Sequence, residues 1–183
     1  MSTPTQRTMP HHGRCTPWGV AQTCETLADG IASVSTASHG GFCLSYARAA
    51  KMPFGFETFA GGKWYEEDED VCAVIIAFPD DFSGHQVAGA VAQVRATAKH
   101  SPARWSAARV WLESGAAYET RRKAAHWTEC HADMWQRGGM CSDTAGWNVN
   151  FRRVRDGARQ WRHMPDYPEK AIYSDAELDA MQR

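Results

Sequence analysis

The residues best suited to chemistry are a single histidine, His39, set among small residues, and five consecutive acids, Glu66 to Asp70. Imidazole and carboxylate groups can exchange protons with a substrate, so His39 and Glu67 are the candidate catalytic residues. Five neighbouring carboxylates cannot all be buried and ionised. They must be solvated, paired with arginines or bound to a cation. In an extended segment, alternate acids would point to opposite faces, and one set would face the loop around His39.

Two kinds of enzyme use residues of these types. The order Arg14, then Ser35-Thr36 with Ser38, then Glu67-Asp68-Glu69 resembles the Arg, Ser-Thr-Ser and Glu-x-Glu order of arginine-specific ADP-ribosyltransferases, although Ala37 interrupts the middle motif. A hydrolase would need a serine activated by His39, but the chain has no G-x-S-x-G elbow around Ser35 or Ser38. Both enzyme hypotheses depend on the His39 loop and the segment Glu66–Asp70. The alternative is that this histidine and the acids are structural or solvated.

The charge distribution favours binding. Residues 1–82 carry five Lys or Arg and ten Asp or Glu, whereas residues 83–183 carry fifteen and eleven. Arginines beside tryptophans grip nucleic acid through phosphate contacts and stacking, and they also dominate protein interfaces. The alternative is a tryptophan core with a solvated arginine rim. The candidate binding residues are Trp64, Tyr65, Glu66, Glu67, Asp68, Glu69, Asp70, Arg152, Arg153, Arg155, Arg159 and Trp161.

Neither a metal site nor a cofactor is predicted. The six cysteines form no C-x-x-C pair, so free thiols in a reducing cytoplasm are expected. The nearest zinc pattern is His126-x-x-x-Cys130-His131 with Asp133, which lacks a second ligand pair at typical spacing. No apolar stretch approaches 18 residues, which predicts a cytoplasmic protein with no membrane partner.

The first part of the chain is predicted to be sheet-rich. Apolar runs on either side of Ala28-Asp29-Gly30 predict a hairpin. Ser45 is a candidate cap for a short helix through Met52. Residues 53–63 have the composition of a loop that packs against another part of the protein. The apolar, β-branched run from Val71 to Phe78 predicts a central strand.

The second part is predicted to be helix-rich. Apolar residues at helical spacing predict two helices separated by Ser101-Pro102, and a third from Ala116 to Gln136 that Gly138-Gly139 ends. Trp147 to His163 has the pattern of a hairpin turning at Asp156-Gly157, with Arg152, Arg159, Trp161 and His163 sharing one face. Ser174 caps a closing helix through Met181.

These elements predict an α+β fold: a small antiparallel sheet followed by a helical region and a C-terminal β-hairpin. Residues 1–14 are expected to be a flexible tail, and residues 15–183 a single domain. Within that domain, residues 15–82 are sheet-rich and residues 83–183 helix-rich, with the hairpin at 147–163.

The motifs of the first part also carry a resemblance. Thr16-Pro-Trp-Gly19, Ser35-Thr-Ala-Ser-His-Gly-Gly41 and Trp64-Tyr-Glu-Glu-Asp68 together resemble an uncharacterised domain family over residues 16–82. That family is found in small proteins of phages, plasmids and other mobile elements of bacteria. The resemblance implies no catalytic role for any residue. It implies a genomic context in which small proteins often block host defence by binding.

The leading hypothesis is therefore a non-enzymatic binding protein. It would occlude a host defence protein or ribonucleoprotein, in the manner of an anti-CRISPR or anti-restriction inhibitor. The acidic run would face grooves that normally hold nucleic acid, or the arginine hairpin would grip an acidic surface. The alternatives are a small enzyme at His39, and a nucleic-acid-binding protein that uses the basic half.

Overall fold

The structure, a computed structural model, describes residues 9–56, 62–143 and 146–181. The chain divides into two compact units, residues 1–124 and 125–183. Antiparallel sheets combine with helices, so the predicted α+β class is confirmed. The flexible tail was expected at residues 1–14, and residues 1–8 of it lie outside the described residues. Across the described ranges, no helix has the length and apolar character needed to cross a membrane.

The first unit contains an antiparallel sheet with both faces covered. The strands of this unit are β1 (Cys15–Thr16), β2 (Gly19–Val20), β3 (Thr23–Ala28), β4 (Ile31–Ser35), β5 (Gly40–Leu44) and β6 (Trp64–Glu66). The pair β1 and β2 is separate, and β3 to β6 form a four-stranded sheet in sequence order. One face contributes Ile31, Leu44 and Tyr65 to the main core. The opposite face contributes Val34 and Cys43 to a small second cluster.

The predicted hairpin at Asp29-Gly30 is confirmed, with β3 and β4 on either side of the turn. Gly30 has a φ of 73°, a conformation that glycine adopts without steric cost. A Cβ there would also lie 2.6 Å from Oγ of Ser45. Ser45, which the missing side chain of Gly30 leaves room for, accepts a hydrogen bond from the amide of Arg48. Ser45 thereby caps the helix that begins at Tyr46, as predicted.

The helices of the first unit cover one face of the sheet. They are α1 (Tyr46–Ala49), α2 (Val71–Ala77), α3 (Gly84–His100), α4 (Pro102–Glu113) and the first half of α5 (Tyr118–Cys130). The two predicted helices separated by Ser101-Pro102 are confirmed as α3 and α4. In the loop that precedes β6, Phe56 packs into the core, and residues 57–61 of the predicted loop 53–63 lie outside the described residues.

The predicted central strand at Val71–Phe78 is wrong, because this segment forms helix α2. The helix contacts β5 and β6 on one side and α3 on another. Its residues Cys72 to Ile76 are all buried. A helix buried on every side has no polar face, so its sequence shows a continuous apolar run that periodicity cannot distinguish from a buried strand.

The second unit is a four-stranded antiparallel sheet with one closing helix. Its strands are β7 (Trp135–Asp143), β8 (Gly146–Arg153), β9 (Arg159–Met164) and β10 (Ile172–Tyr173), in the order β10-β7-β8-β9, and the helix is α6 (Asp175–Ala180). The predicted hairpin is confirmed as β8 and β9, which turn at Asp156-Gly157. Ser174 caps α6, also as predicted.

The predicted helix from Ala116 to Gln136 is too long. Helix α5 ends at Cys130, and the chain enters β7 at Trp135. Gly138-Gly139 does not end a helix. It lies within β7, where the pairing with β8 shifts between Arg137 and Met140. Glycines inside a strand are typical of such a bulge.

Candidate functional sites

The first candidate site lies where β4 turns into β5 and exposes His39. The turn is closed by Thr36, whose amide donates to the carbonyl of His39 over 2.8 Å. The Thr36 hydroxyl donates to the same carbonyl at 2.8 Å and accepts from the amide of His39 at 3.2 Å. These bonds fix the backbone of His39 and leave its ring exposed to solvent.

Strand β6 brings two of the acids to this turn. Glu66 is paired with Gly41 across the ladder, and the amide of Glu67 donates to the carbonyl of Gly40 at 3.1 Å. One nitrogen of His39 and one oxygen from each of Glu66 and Glu67 all lie within 4.8 Å of one another. Carboxylates do face the His39 loop, but Glu66 and Glu67 come from both of the alternate sets and not from one set as expected.

Gly40 and Gly41 allow this close approach. A Cβ on Gly40 would lie 2.6 Å from Oε2 of Glu67, and one on Gly41 would lie 2.7 Å from Cη2 of Trp18. The indole of Trp18 packs edge-on against Trp64, with ring centroids 5.7 Å apart. Trp18 thus packs against Gly41, the ladder partner of Glu66, and the sequence predicts no site role for it.

The acids do not alternate along an extended strand as the sequence suggested. Glu66 ends β6, residues 67–70 form turns, and Val71 begins α2. Arg104 pairs with Glu69 at 2.9 Å and also with Asp70. The acidic run is therefore divided. Glu69 and Asp70 are neutralised within the fold, whereas Glu66 to Asp68 form none of the ion pairs of the described residues.

Two of the candidate binding residues in this region are part of the core. Tyr65 and Asp70 are each only 2% exposed. Burial raises the pKa of Tyr65 to about 12. A partner cannot reach either side chain without disrupting the packing of α2 against the sheet. Trp64 is half-buried against Trp18, which leaves Glu66, Glu67 and Asp68 as the accessible part of this surface.

The partners of Ser35 and Glu69 reduce the number of enzyme reactions that this region could catalyse. The Ser35 hydroxyl lies 2.6 Å from the hydroxyl of Thr23 and takes part in no hydrogen bond with His39. Glu67 and Glu69 do not act together, because Glu69 is held by Arg104. The chemistry available is proton transfer by His39 and Glu67, or coordination of a cation by His39, Glu66 and Glu67.

The second candidate site is the open face of the sheet in the second unit. Strand pairing sets Arg159 beside Arg152, Trp161 beside Asn150 and His163 beside Asn148. These six residues, which we call the basic-aromatic face, include no carboxylate. Trp161 is 63% exposed. The predicted grouping of Arg152, Arg159, Trp161 and His163 on one side of the hairpin is confirmed by this register.

The other side of the same sheet carries the core. Val149, Phe151 and Met164 are buried with Tyr173 and with Leu178 of α6. Trp135 is also buried there, beneath the guanidinium of Arg153, which lies 5.4 Å from the ring centroid. Because α6 and these apolar residues occupy one side of the sheet, the basic-aromatic face is the side left without a core.

The arginines of the hairpin therefore fall into two groups. Arg153 pairs with Asp156 at 2.6 Å, and this bond lowers the pKa of Asp156 to about 2. Arg155 pairs with Asp133 at 2.6 Å. By contrast, Arg152 donates to the neutral amide of Gln136, and neither it nor Arg159 forms an ion pair with a described acid. Among these four arginines, the two without an ion pair to a described acid are those of the basic-aromatic face.

The basic cluster Arg121-Arg122-Lys123 contributes little to an open surface. Arg121 donates to the carbonyls of Leu112 and Ser114, both at 2.5 Å. Lys123 donates to the carbonyls of Pro79 and Phe82 at 2.8 and 2.6 Å. Arg122 pairs with Glu119 on the same helix. These cations serve mainly to fasten α5 within the first unit.

The zinc pattern of the sequence does not gather its four members. Cys130 Sγ lies 3.8 Å from Nε2 of His126, and both residues are exposed. His131 instead stacks on Trp127, with centroids 4.7 Å apart, and Asp133 is paired with Arg155. Two members of the pattern are thus engaged elsewhere.

The first unit and α5 together define an α+β domain with an antiparallel sheet under a helical layer. Residues 11–132 match the family described as a domain of unknown function (DUF7007), and the chain belongs to this family. The match extends well beyond residues 16–82, to which the sequence resemblance had been confined, and it includes helices α2 to α5. No curated protein and no solved structure matches the chain significantly.

Proposed function

We propose that this protein is a non-enzymatic binding protein of a phage or other mobile element. It acts in the cytoplasm of the host cell and occludes a host defence ribonucleoprotein, in the manner of an anti-CRISPR protein. The contact is made through the RNA of that complex, by the basic-aromatic face of the second unit. The mobile-element context comes from the motif resemblance, and the contact surface comes from the geometry of the sheet.

The observation that carries the proposal is an exposed tryptophan next to two arginines that form no ion pair with a described acid, on the open face of a sheet. Trp161 offers a flat ring on which a base can stack, and stacking requires no particular base. Arg152 and Arg159 offer guanidinium groups for phosphates, because neither is neutralised by a described acid. Asn150 adds an amide group that can bond to base edges.

The same features favour RNA over an acidic protein surface as the proposed partner. Aromatic stacking platforms on antiparallel sheets recognise the unstacked bases of single-stranded RNA. Stacking of bases on Trp161 with phosphates beside them would use the exposed indole and the arginines together. The acidic run has a smaller role than the sequence suggested, because Arg104 neutralises Glu69 and Asp70.

The proposal is tested by affinity capture from a bacterial host lysate, with and without ribonuclease treatment. Three tagged proteins are compared: the unchanged chain, the double variant Arg159→Glu/Trp161→Ala, and the control Lys51→Glu/Phe54→Ala. The control changes the same charge and also removes an exposed aromatic ring, Phe54 being 98% exposed. The proposal predicts capture of a ribonucleoprotein that ribonuclease and the first double variant both abolish, while the control retains it.

Two results of this experiment would overturn the proposed function. Capture that survives ribonuclease but is lost with Arg159→Glu/Trp161→Ala would identify an acidic protein as the partner. Capture that both double variants retain would mean that the basic-aromatic face is not the contact surface.

A further inference from the structure

We propose that His39, Glu66 and Glu67 form a binding site for a divalent first-row transition metal ion such as Zn²⁺ or Mn²⁺. This site lies in the first unit and is independent of the function proposed for the second. One imidazole nitrogen and two carboxylate oxygens supply three protein ligands, and water molecules supply the rest. Imidazole favours a transition metal over Ca²⁺ or Mg²⁺, which prefer oxygen ligands.

The distances are compatible with a shared ion. The three donor atoms lie within 4.8 Å of one another. Nitrogen and oxygen ligands bind zinc at about 2.0–2.2 Å in tetrahedral geometry, so two ligands of one ion are about 3.4 Å apart. Rotation of the exposed His39 and Glu67 side chains is sufficient to close the remaining gap, since both sit at the surface.

The charge of the cluster also favours a cation. Glu66 and Glu67 lie close together, yet neither belongs to an ion pair of the described residues. Their neighbours Glu69 and Asp70 share Arg104. Within one acidic run, the fold thus supplies a guanidinium to two acids and an imidazole to two others. Adjacent carboxylates repel each other, and a divalent ion between them would remove that repulsion.

The backbone holds the three ligands in fixed positions. His39 belongs to a turn closed by Thr36, and Glu66 and Glu67 are bonded to Gly41 and Gly40 through the ladder. Oε2 of Glu66 accepts from the amide of Asp68 at 2.9 Å, which orients that carboxylate and leaves its other oxygen available. Outer contacts of this kind orient metal ligands and raise affinity.

The space around the cluster depends on the two glycines. A side chain at Gly40 would meet Glu67, and one at Gly41 would meet Trp18. Both acids and the indole can therefore lie directly against the strand. The zinc pattern of the sequence does not include this set, because that pattern relies on ligands at short spacing, whereas His39 and the acids come from separate parts of the sheet.

The test is isothermal titration calorimetry of the full chain, first stripped with a chelator, using Zn²⁺ alone and then Mn²⁺ alone. The variants are His39→Ala and Glu67→Gln. The matched controls are His126→Ala, which removes an exposed histidine beside a cysteine, and Glu25→Gln, which neutralises an exposed acid of β3 outside the cluster. Melting in chelator checks that each variant folds, as expected for exposed positions.

The proposal predicts one site per chain whose affinity falls at least tenfold in both His39→Ala and Glu67→Gln and is unchanged in both controls. With Mn²⁺, the electron paramagnetic resonance signal of the free ion should decrease with the unchanged chain and persist with His39→Ala. Equal affinity in the chain and in His39→Ala would overturn the proposal. Loss of binding in His126→Ala alone would also overturn it, because the ion would then occupy the His126–Cys130 pair.

Discussion

The guanidinium of Arg104 pairs with the carboxylate of Asp70, which is 2% exposed at the start of α2. The same guanidinium bonds to Glu69 at 2.9 Å. This relationship connects α4 to the turn that follows β6. It engages two of the five acids of the run, of which Asp70 is buried and Glu69 is partly exposed. The position of α2 against the sheet depends on this pairing.

Substitution of Arg104 by alanine is therefore expected to be severely destabilising. Removal of one member of a buried ion pair leaves the other charge uncompensated and costs about 3–5 kcal/mol. Urea unfolding of Arg104→Ala should show a loss of this size. Arg95→Ala, which breaks the exposed pair with Glu113, should cost about 1 kcal/mol or less.

A second substitution separates the charge effect from lost packing. In the Arg104→Ala background, Asp70→Asn removes the uncompensated charge and should recover part of the lost free energy of unfolding. An Arg104→Ala variant as stable as Arg95→Ala would show that Asp70 does not need its partner.

The thiols should differ sharply in reactivity. Burial raises the pKa of Cys43 and of Cys72 to about 11 and removes both from solvent, so few thiolates form at pH 8. Brief treatment with iodoacetamide followed by peptide mass spectrometry should label the exposed thiols and spare these two. The exposed thiols are Cys15, Cys130 and Cys141.

Labelling in urea, where all six thiols should react, is the control for this experiment. Rapid labelling of Cys72 in the folded protein would contradict the packing of α2 between the sheet and α3.

Low pH should reduce the stability of the second unit, because Glu177 becomes protonated. Its bonds to Lys170 and to Ser174 lower the pKa of Glu177 from 4.5 to about 2. Because the folded pKa is the lower one, the stabilisation is complete above pH 4.5 and is lost as the pH falls towards 2. Melting temperatures of the chain and of Glu177→Gln should differ at pH 7 and converge near pH 2.

Glu169→Gln is the matched control, since Glu169 is an exposed acid that forms no ion pair with a described residue. Its melting temperature should follow that of the unchanged chain at every pH. The melting temperatures of the unchanged chain and of Glu177→Gln could instead differ equally at pH 2 and pH 7. That result would exclude the ionised carboxylate as the cause of the difference.

Much of the fold could be predicted where local chemistry is decisive. The Asp29-Gly30 turn, the caps at Ser45 and Ser174, and the break at Ser101-Pro102 each follow from the conformational needs of one or two residues. Helix α2 and strand β7 could not be predicted, because their character depends on surroundings. Burial on all sides hides the period of α2, and Gly138-Gly139 marks a bulge only once β8 is paired beside it.

The candidate sites, like the fold, could be predicted from the sequence only in part. The proximity of His39 to the acids could be anticipated from small residues and charge, and the faces of the hairpin from alternation along β8 and β9. The role of Arg104 could not, because it lies on a distant helix and no spacing rule connects it to Asp70. Only the three-dimensional pairing distinguishes neutralised acids and arginines from free ones.

The central claim, that the basic-aromatic face binds single-stranded RNA, is tested most directly by fluorescence anisotropy with a labelled single-stranded RNA across a range of salt concentrations. Removal of a stacked aromatic ring costs about 1–3 kcal/mol, so Trp161→Ala should weaken binding about 5- to 150-fold. Arg159→Ala should lower the salt dependence by about 0.7 in log–log slope. Lys51→Ala and Phe54→Ala should match the unchanged chain, and equal affinity of Trp161→Ala and Phe54→Ala would contradict the account.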